Sequence, residues 1–160
     1  MKIGKTMTLK DTLRADMTAA MKERKTDASA EVRLMTLRSV LGAITKAETG
    51  GGARKDLTDA DVETVLRKEA KTRRETAAIY LGVSEVERAA RETAEAEILE
   101  SYVSQELSED EVRALVTELI ADNGLAGAGG RAIGQVMGLL KGRSDVNKGV
   151  ASKIAKELLG

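Results

Sequence analysis

Residues Thr58 to Val103 read TDADVETVLRKEAKTRRETAAIYLGVSEVERAARETAEAEILESYV. The stretch has no proline, one glycine at Gly82, and long runs of Ala, Glu, Lys and Arg, which are strong helix formers. Apolar residues recur at helical intervals on both sides of Gly82: Val62, Val65, Leu66, Ala70, Ala77 and Tyr80 before it, then Val86, Ala90, Ala94, Ile98 and Tyr102. This spacing predicts two long helices, about 58–81 and 84–103, joined by a tight turn at Gly82. Each opens with a hydroxyl residue followed three positions later by an acid, Thr58–Asp61 and Ser84–Glu87, the capping-box pattern. The middles, RKEAKTRRE and ERAARETAEAE, are mostly charged, so the hairpin is expected to project and to be solvated over much of its surface.

The same signals extend outward. Thr8–Asp11 and Ser108–Glu111 mark two more helix starts, Asp145 is a candidate cap for another, and glycines at Gly50–Gly52, Gly124 and Gly142 mark stops. The predicted helices are about 9–25, 30–48, 58–81 and 84–103 in an N-terminal helical domain, 1–103, and about 109–123, 131–141 and 145–159 in a small C-terminal three-helix bundle, 108–160. No segment alternates with period two for long enough to be a strand. The fold class is all-α. The 160-residue composition agrees: 42% hydrophobic, 32% charged, proline absent, and only Tyr80 and Tyr102 as aromatics.

Formal net charge is zero, but its distribution is uneven. Residues 1–57 carry 12 Lys/Arg against 7 Asp/Glu, residues 58–107 carry 7 against 12, residues 108–130 carry 1 against 5, and residues 131–160 carry 6 against 2. The absence of cysteine leaves no disulfide framework, and no apolar run approaches the ~18 residues of a membrane span. MKIGKTM at the start lacks the apolar segment of a secretory signal. The expectation is a cytoplasmic protein with no membrane partner.

Chemistry is constrained by what is missing. With no histidine and no cysteine, neither a Ser-His-Asp nor a Cys-His arrangement exists, and the usual zinc ligands are lacking. No catalytic residue, metal or cofactor is expected. GAGGRA, Gly127 to Ala132, fits the relaxed dinucleotide glycine pattern, but that fingerprint must follow a strand, and here a helix precedes it. Two sets of basic residues remain. Lys141, Arg143, Lys148, Lys153 and Lys156 make the last bundle basic and are candidate contacts to the phosphate backbone of an RNA. Arg33, Arg38, Lys68, Lys71 and Arg74 offer a second basic surface, although Glu69–Arg73 and Lys71–Glu75 have the spacing of intrahelical pairs. Aromatic stacking platforms are lacking, so an RNA would be read by shape and backbone rather than by base. Structural roles are expected for Gly134, Met137, Gly138, Gly142 and Asp145 in GQVMGLLKGRSD: Val136, Met137 and Leu140 facing the core, Gly138 allowing close packing, Gly142 ending a helix and Asp145 starting the next.

Several stretches, in order, resemble the YqeY family: RLMTLRSVLGAITKAE (Arg33 to Glu48), LTDADVETVLRKEAKTRRETA (Leu57 to Ala77), AEAEILESYVSQELSEDEV (Ala94 to Val112) and GQVMGLLKGRSDVNKGVASKIAKELL (Gly134 to Leu159). The C-terminal part of that family is similar to the tail domain of GatB, the B subunit of the tRNA-dependent Asp/Glu amidotransferase. The resemblance runs from about Leu9 to Leu159, with departures at Val103-Ser104, where the family often has proline, in two Gly-rich loops, and in the first seven residues, which look like an extension. It implies an all-α protein in two parts, an N-terminal helical domain with a long hairpin and a small three-helix tail; in the amidotransferase the tail helps hold tRNA, and tRNA or another structured RNA is the partner expected here. The tail positions that match are Gly134, Val136, Met137, Gly138, Lys141, Gly142, Arg143, Asp145 and Val150. The catalytic cradle and glutaminase machinery of a complete amidotransferase are missing. A non-catalytic RNA-associated adaptor is therefore the leading expectation. The alternatives are a module docking a helical protein through the hairpin, and the glutamine-dependent carbon–nitrogen ligase activity carried by the family label.

Overall fold

The computed structural model describes residues 6–160; residues 1–5, which hold most of the expected N-terminal extension, lie outside the described residues. The described chain is all-helical: α1 (Leu9–Glu23), α2 (Ala28–Thr49), α3 (Asp59–Gly82), α4 (Val86–Glu100), α5 (Glu109–Asp122), α6 (Arg131–Leu139) and α7 (Lys148–Leu159). It divides into two compact units, one ending at Val103 and one spanning Ser104–Gly160.

Capping chemistry sets most of the helix starts. Thr8 with Asp11, Thr58 with Asp61 and Ser108 with Glu111 form complete capping boxes, in which hydroxyl and carboxylate each satisfy a backbone N–H that the helix leaves free. Asp27 accepts from the Ser29 amide at 2.9 Å to start α2. Two expected caps are displaced. Asn147, not Asp145, caps α7, accepting from the Val150 amide at 3.1 Å. Ser84 caps nothing: its φ is 61°, and α4 begins after Glu85 with no side-chain cap.

The reason lies in how α3 ends. The Glu85 amide donates to the Tyr80 carbonyl at 2.9 Å and the Ser84 amide to the Leu81 carbonyl at 3.1 Å. That double closure is a Schellman motif, which places its penultimate residue in the left-handed region. Glycine normally fills that place, yet Gly82 is spent two residues early, inside α3. The same motif ends α5, where Leu125 and Gly124 donate to the Ile120 and Ala121 carbonyls and Gly124 takes φ 63°.

In the N-terminal unit, Leu13, Leu37, Ile44, Val62, Leu66 and Leu99 are fully buried in one cluster. Each such side chain contributes about 1.5–3 kcal/mol on burial. Ala70 and Ala77 of α3 and Ala89 and Ala96 of α4 are buried, small residues that let the hairpin helices lie close. α4 packs in a different phase from the one its i,i+4 apolar series predicts. It buries Ala89, Ala96 and Leu99, while Val86 and Ala90 are exposed and Ala94 and Ile98 half-buried. The amide of Leu9 donates to the Asp59 carboxylate at 3.0 Å, tying the start of α1 to the start of α3.

The C-terminal unit packs Val112, Val116, Val136, Leu140, Ile154 and Leu159 into a second cluster, with Met137 half-buried against it. α6 ends at Leu139 with Leu140 as its cap, so Gly142 lies beyond the stop rather than at it. A β-carbon at Gly134 or Gly138 would meet nothing within 4 Å, so neither glycine is there for close packing.

Candidate functional site

The five basic side chains predicted for the tail divide into three roles. Lys148, at the first turn of α7, donates its ammonium to the Leu140 carbonyl and, at 2.7 Å, to the Arg143 carbonyl. It ties the chain that follows α6 to the start of α7, and burial pushes its pKa below the usual lysine range, partly offset by Asp145. Lys148 is therefore a structural cap and not a free phosphate contact. Arg143 forms a two-pronged pair with Asp145 at 3.0 and 2.9 Å, which raises its pKa. Asp145 is thus a partner for Arg143 and, through its carbonyl, an acceptor for the Leu107 amide at 2.8 Å. Lys141, Lys153 and Lys156 are exposed and in no ion pair among the described residues.

Lys153 and Lys156 stand one turn apart on α7, on the side away from buried Ala151, Ile154 and Ala155. Their acidic neighbour, Glu157, is engaged by Arg113 of α5 at 2.8 Å. That hydrogen bond holds the Glu157 carboxyl below its usual range. The C-terminal unit as a whole has 7 Lys/Arg against 8 Asp/Glu, a net of −1. Its positive character is local: Glu109, Asp110, Glu111, Glu118 and Asp122 all lie on α5.

The second predicted basic surface is largely consumed by pairing. Arg33 pairs with Glu23, Arg74 holds Glu100 through two bonds at 3.0 and 2.8 Å, and Lys71 stands 4.0 Å from Glu75. Arg38 and Lys68 are exposed and in no ion pair among the described residues. These five do not form one patch of free positive charge.

One arginine outside either set matters more. Arg73 is 9% exposed and donates to Glu95 of α4 at 3.0 Å, to Glu69 at 2.9 Å and to the Ser39 hydroxyl of α2 at 3.2 Å. It joins three helices. Its position was visible in the sequence, because Val62, Leu66, Ala70, Arg73 and Ala77 form one stripe at helical spacing. On the other side of the unit, the Tyr102 hydroxyl donates to Asp16 at 2.6 Å, beside a hollow of about 300 Å³ lined also by Ala19, Glu23 and Arg33. Burial, then the Asp16 contact, pushes the Tyr102 pKa up.

Among the described residues no cluster of three or more His, Cys, Asp or Glu side chains is placed to hold a metal ion, and no helix is long and apolar enough to cross a membrane. GAGGRA runs from the loop after α5 into α6, which its Arg131 and Ala132 open, with no strand before it among the described residues. The family model described as Yqey-like protein matches residues 10–159. No curated protein matches the chain.

Proposed function

The chain belongs to the YqeY family, and from that premise we propose that it is a non-catalytic adaptor that holds tRNA or another structured RNA by its phosphate backbone. The observation that carries this reading is the trio Lys141, Lys153 and Lys156. All three are exposed and in no ion pair among the described residues, while the nearest acids in sequence, Asp145 and Glu157, are already engaged by Arg143 and Arg113. Lysines left free in this way gain little from their own protein and release counterions when they meet phosphates. The acidic α5 surface confines the contact to the lysine-bearing side. With two tyrosines as its aromatic inventory, the chain has little with which to stack bases, which favours contact with the backbone of folded RNA.

A salt titration of total tRNA by filter binding tests this. The chain should bind at low salt with a shallow slope, and the triple replacement of Lys141, Lys153 and Lys156 by Ala should lower that slope by up to roughly 2–3 units. No measurable binding at low salt would overturn the reading.

A further inference from the structure

α4 carries two apolar stripes and uses one. Ala89, Ala96 and Leu99 are buried in the hairpin. Val86, Ala90, Ala94 and Ile98, spaced by four residues, form a second stripe that the chain leaves open. At the hairpin tip this stripe projects: Val86 is 64% and the adjoining Val83 65% exposed. Toward the other end it sinks into a hollow of about 450 Å³ lined by Ala94, Ile98, Glu97 and Ser101 with Ser29 and Val32 of α2. Projection and hollow thus lie on one face of one helix, about 15 Å apart at 1.5 Å per residue. Between them stands Ala90, small enough for another helix to approach closely.

We infer that this face binds a second copy of the chain, with the two α4 helices antiparallel about a two-fold axis near Ala90. In that arrangement the Val83–Val86 tip of each copy seats in the Val32–Ala94–Ile98 hollow of the other. A two-fold contact requires a self-complementary surface, and a projection matched to a hollow along one helix is such a surface. The charges agree. Glu87 and Arg91 flank the stripe on the same side, one turn apart, so the antiparallel arrangement brings Glu87 of one copy to Arg91 of the other, twice. Arg91 lies 3.4 Å from Glu95 in the single copy and is 60% exposed, so it is available to a second carboxylate.

The experiment uses the full chain without RNA. Sedimentation equilibrium over a concentration series should show a monomer–dimer equilibrium. Because the chain has no cysteine, Ala90→Cys alone should give a disulfide-linked dimer under mild oxidation, and Thr64→Cys, exposed on α3 away from its buried stripe, should not. Val86→Glu, at a site already in solvent, should weaken the dimer by about tenfold or more. Glu87→Arg should weaken it too, and adding Arg91→Glu to the same chain should restore it. A monomer at every concentration overturns the proposal. So does a dimer that Ala90→Cys fails to crosslink, or one in which the double charge reversal behaves no better than the single. None of these results depends on whether RNA binds.

Discussion

Arg73 and Glu95 meet 3.0 Å apart across the α3–α4 interface, with side chains only 11% and 15% exposed. Glu69 at 2.9 Å and the Ser39 hydroxyl occupy the remaining guanidinium edges, so the charge is compensated from three helices. A buried arginine so placed is defined by its geometry. Lysine, a point charge on a flexible stem, cannot reproduce three directed contacts.

Arg73→Ala should therefore destabilise the protein by about 2–4 kcal/mol, since it removes the ion pair of half-buried Glu69 and leaves Glu95 with only its longer contact to Arg91. Arg73→Lys should recover less than half of that. Urea unfolding followed by circular dichroism measures both. A loss under ~0.5 kcal/mol for Arg73→Ala would show that the network contributes nothing net.

Ser84 bears the left-handed conformation that Gly82 could have carried without cost. Ser84→Gly should stabilise by about 0.5–1 kcal/mol. Gly82→Ala, whose new β-carbon meets nothing within 4 Å, should add a similar amount by stiffening the last turn of α3. The two changes touch different terms, backbone strain and helix propensity, so the double variant should show nearly their sum in the denaturation midpoint with an unchanged slope.

Lys148 and Lys153 look alike in the sequence and differ in the structure. Lys148→Met removes a charged donor from two carbonyls and should cost about 1–2 kcal/mol of stability while leaving the salt slope of tRNA binding almost unchanged. Lys153→Ala should alter stability by less than ~0.5 kcal/mol and lower the slope by nearly one unit. Measuring both quantities on both variants separates a cap from a phosphate contact.

Stability should fall at both ends of the pH scale, for different reasons. Glu48, buried on α2, accepts from Lys10, and this hydrogen bond holds its pKa below the ordinary carboxylate value of 4.5. The group is therefore less protonated in the folded than in the unfolded chain. Its contribution is present above pH 4.5 and is lost as pH falls through the folded value. Tyr102 is the reverse case, with a pKa raised above 10.0. Its contribution is full below pH 10 and disappears as pH climbs above it. Glu48→Gln should flatten the acid limb of the urea midpoint and Tyr102→Phe the alkaline limb.

The all-α class and the helix starts at Thr8, Thr58 and Ser108 were legible because local chemistry decides them: a hydroxyl and an acid three residues apart satisfy the first-turn amides whatever surrounds them. Where two local solutions competed, the sequence could not choose. Ser84-x-x-Glu87 is a valid capping box, but closing α3 on Tyr80 and Leu81 consumes the Ser84 amide and fixes its backbone elsewhere. α4 has two apolar series, and the more regular one, Val86 to Ile98, is the one left open. Ala89, Ala96 and Leu99 won because they face the Ala70 and Ala77 side of α3, which is a tertiary fact. In the tail, the type and position of the basic residues were readable. Their division into a cap, a paired arginine and three free lysines was not, because it depends on how α6 meets α7 and on Arg113 reaching Glu157.

The buried clusters draw their residues from one side of the Val103–Ser104 boundary each. This sets an order of events during synthesis. The 57 residues of Ser104–Gly160 take roughly 3–11 s to be made at 5–20 residues per second, whereas a helical unit with mostly local contacts folds in microseconds to milliseconds. The first unit has its complete core, Arg73 network included, while the chain is still on the ribosome. The open face of α4 is consequently on display to neighbouring nascent chains before the tail unit has finished folding.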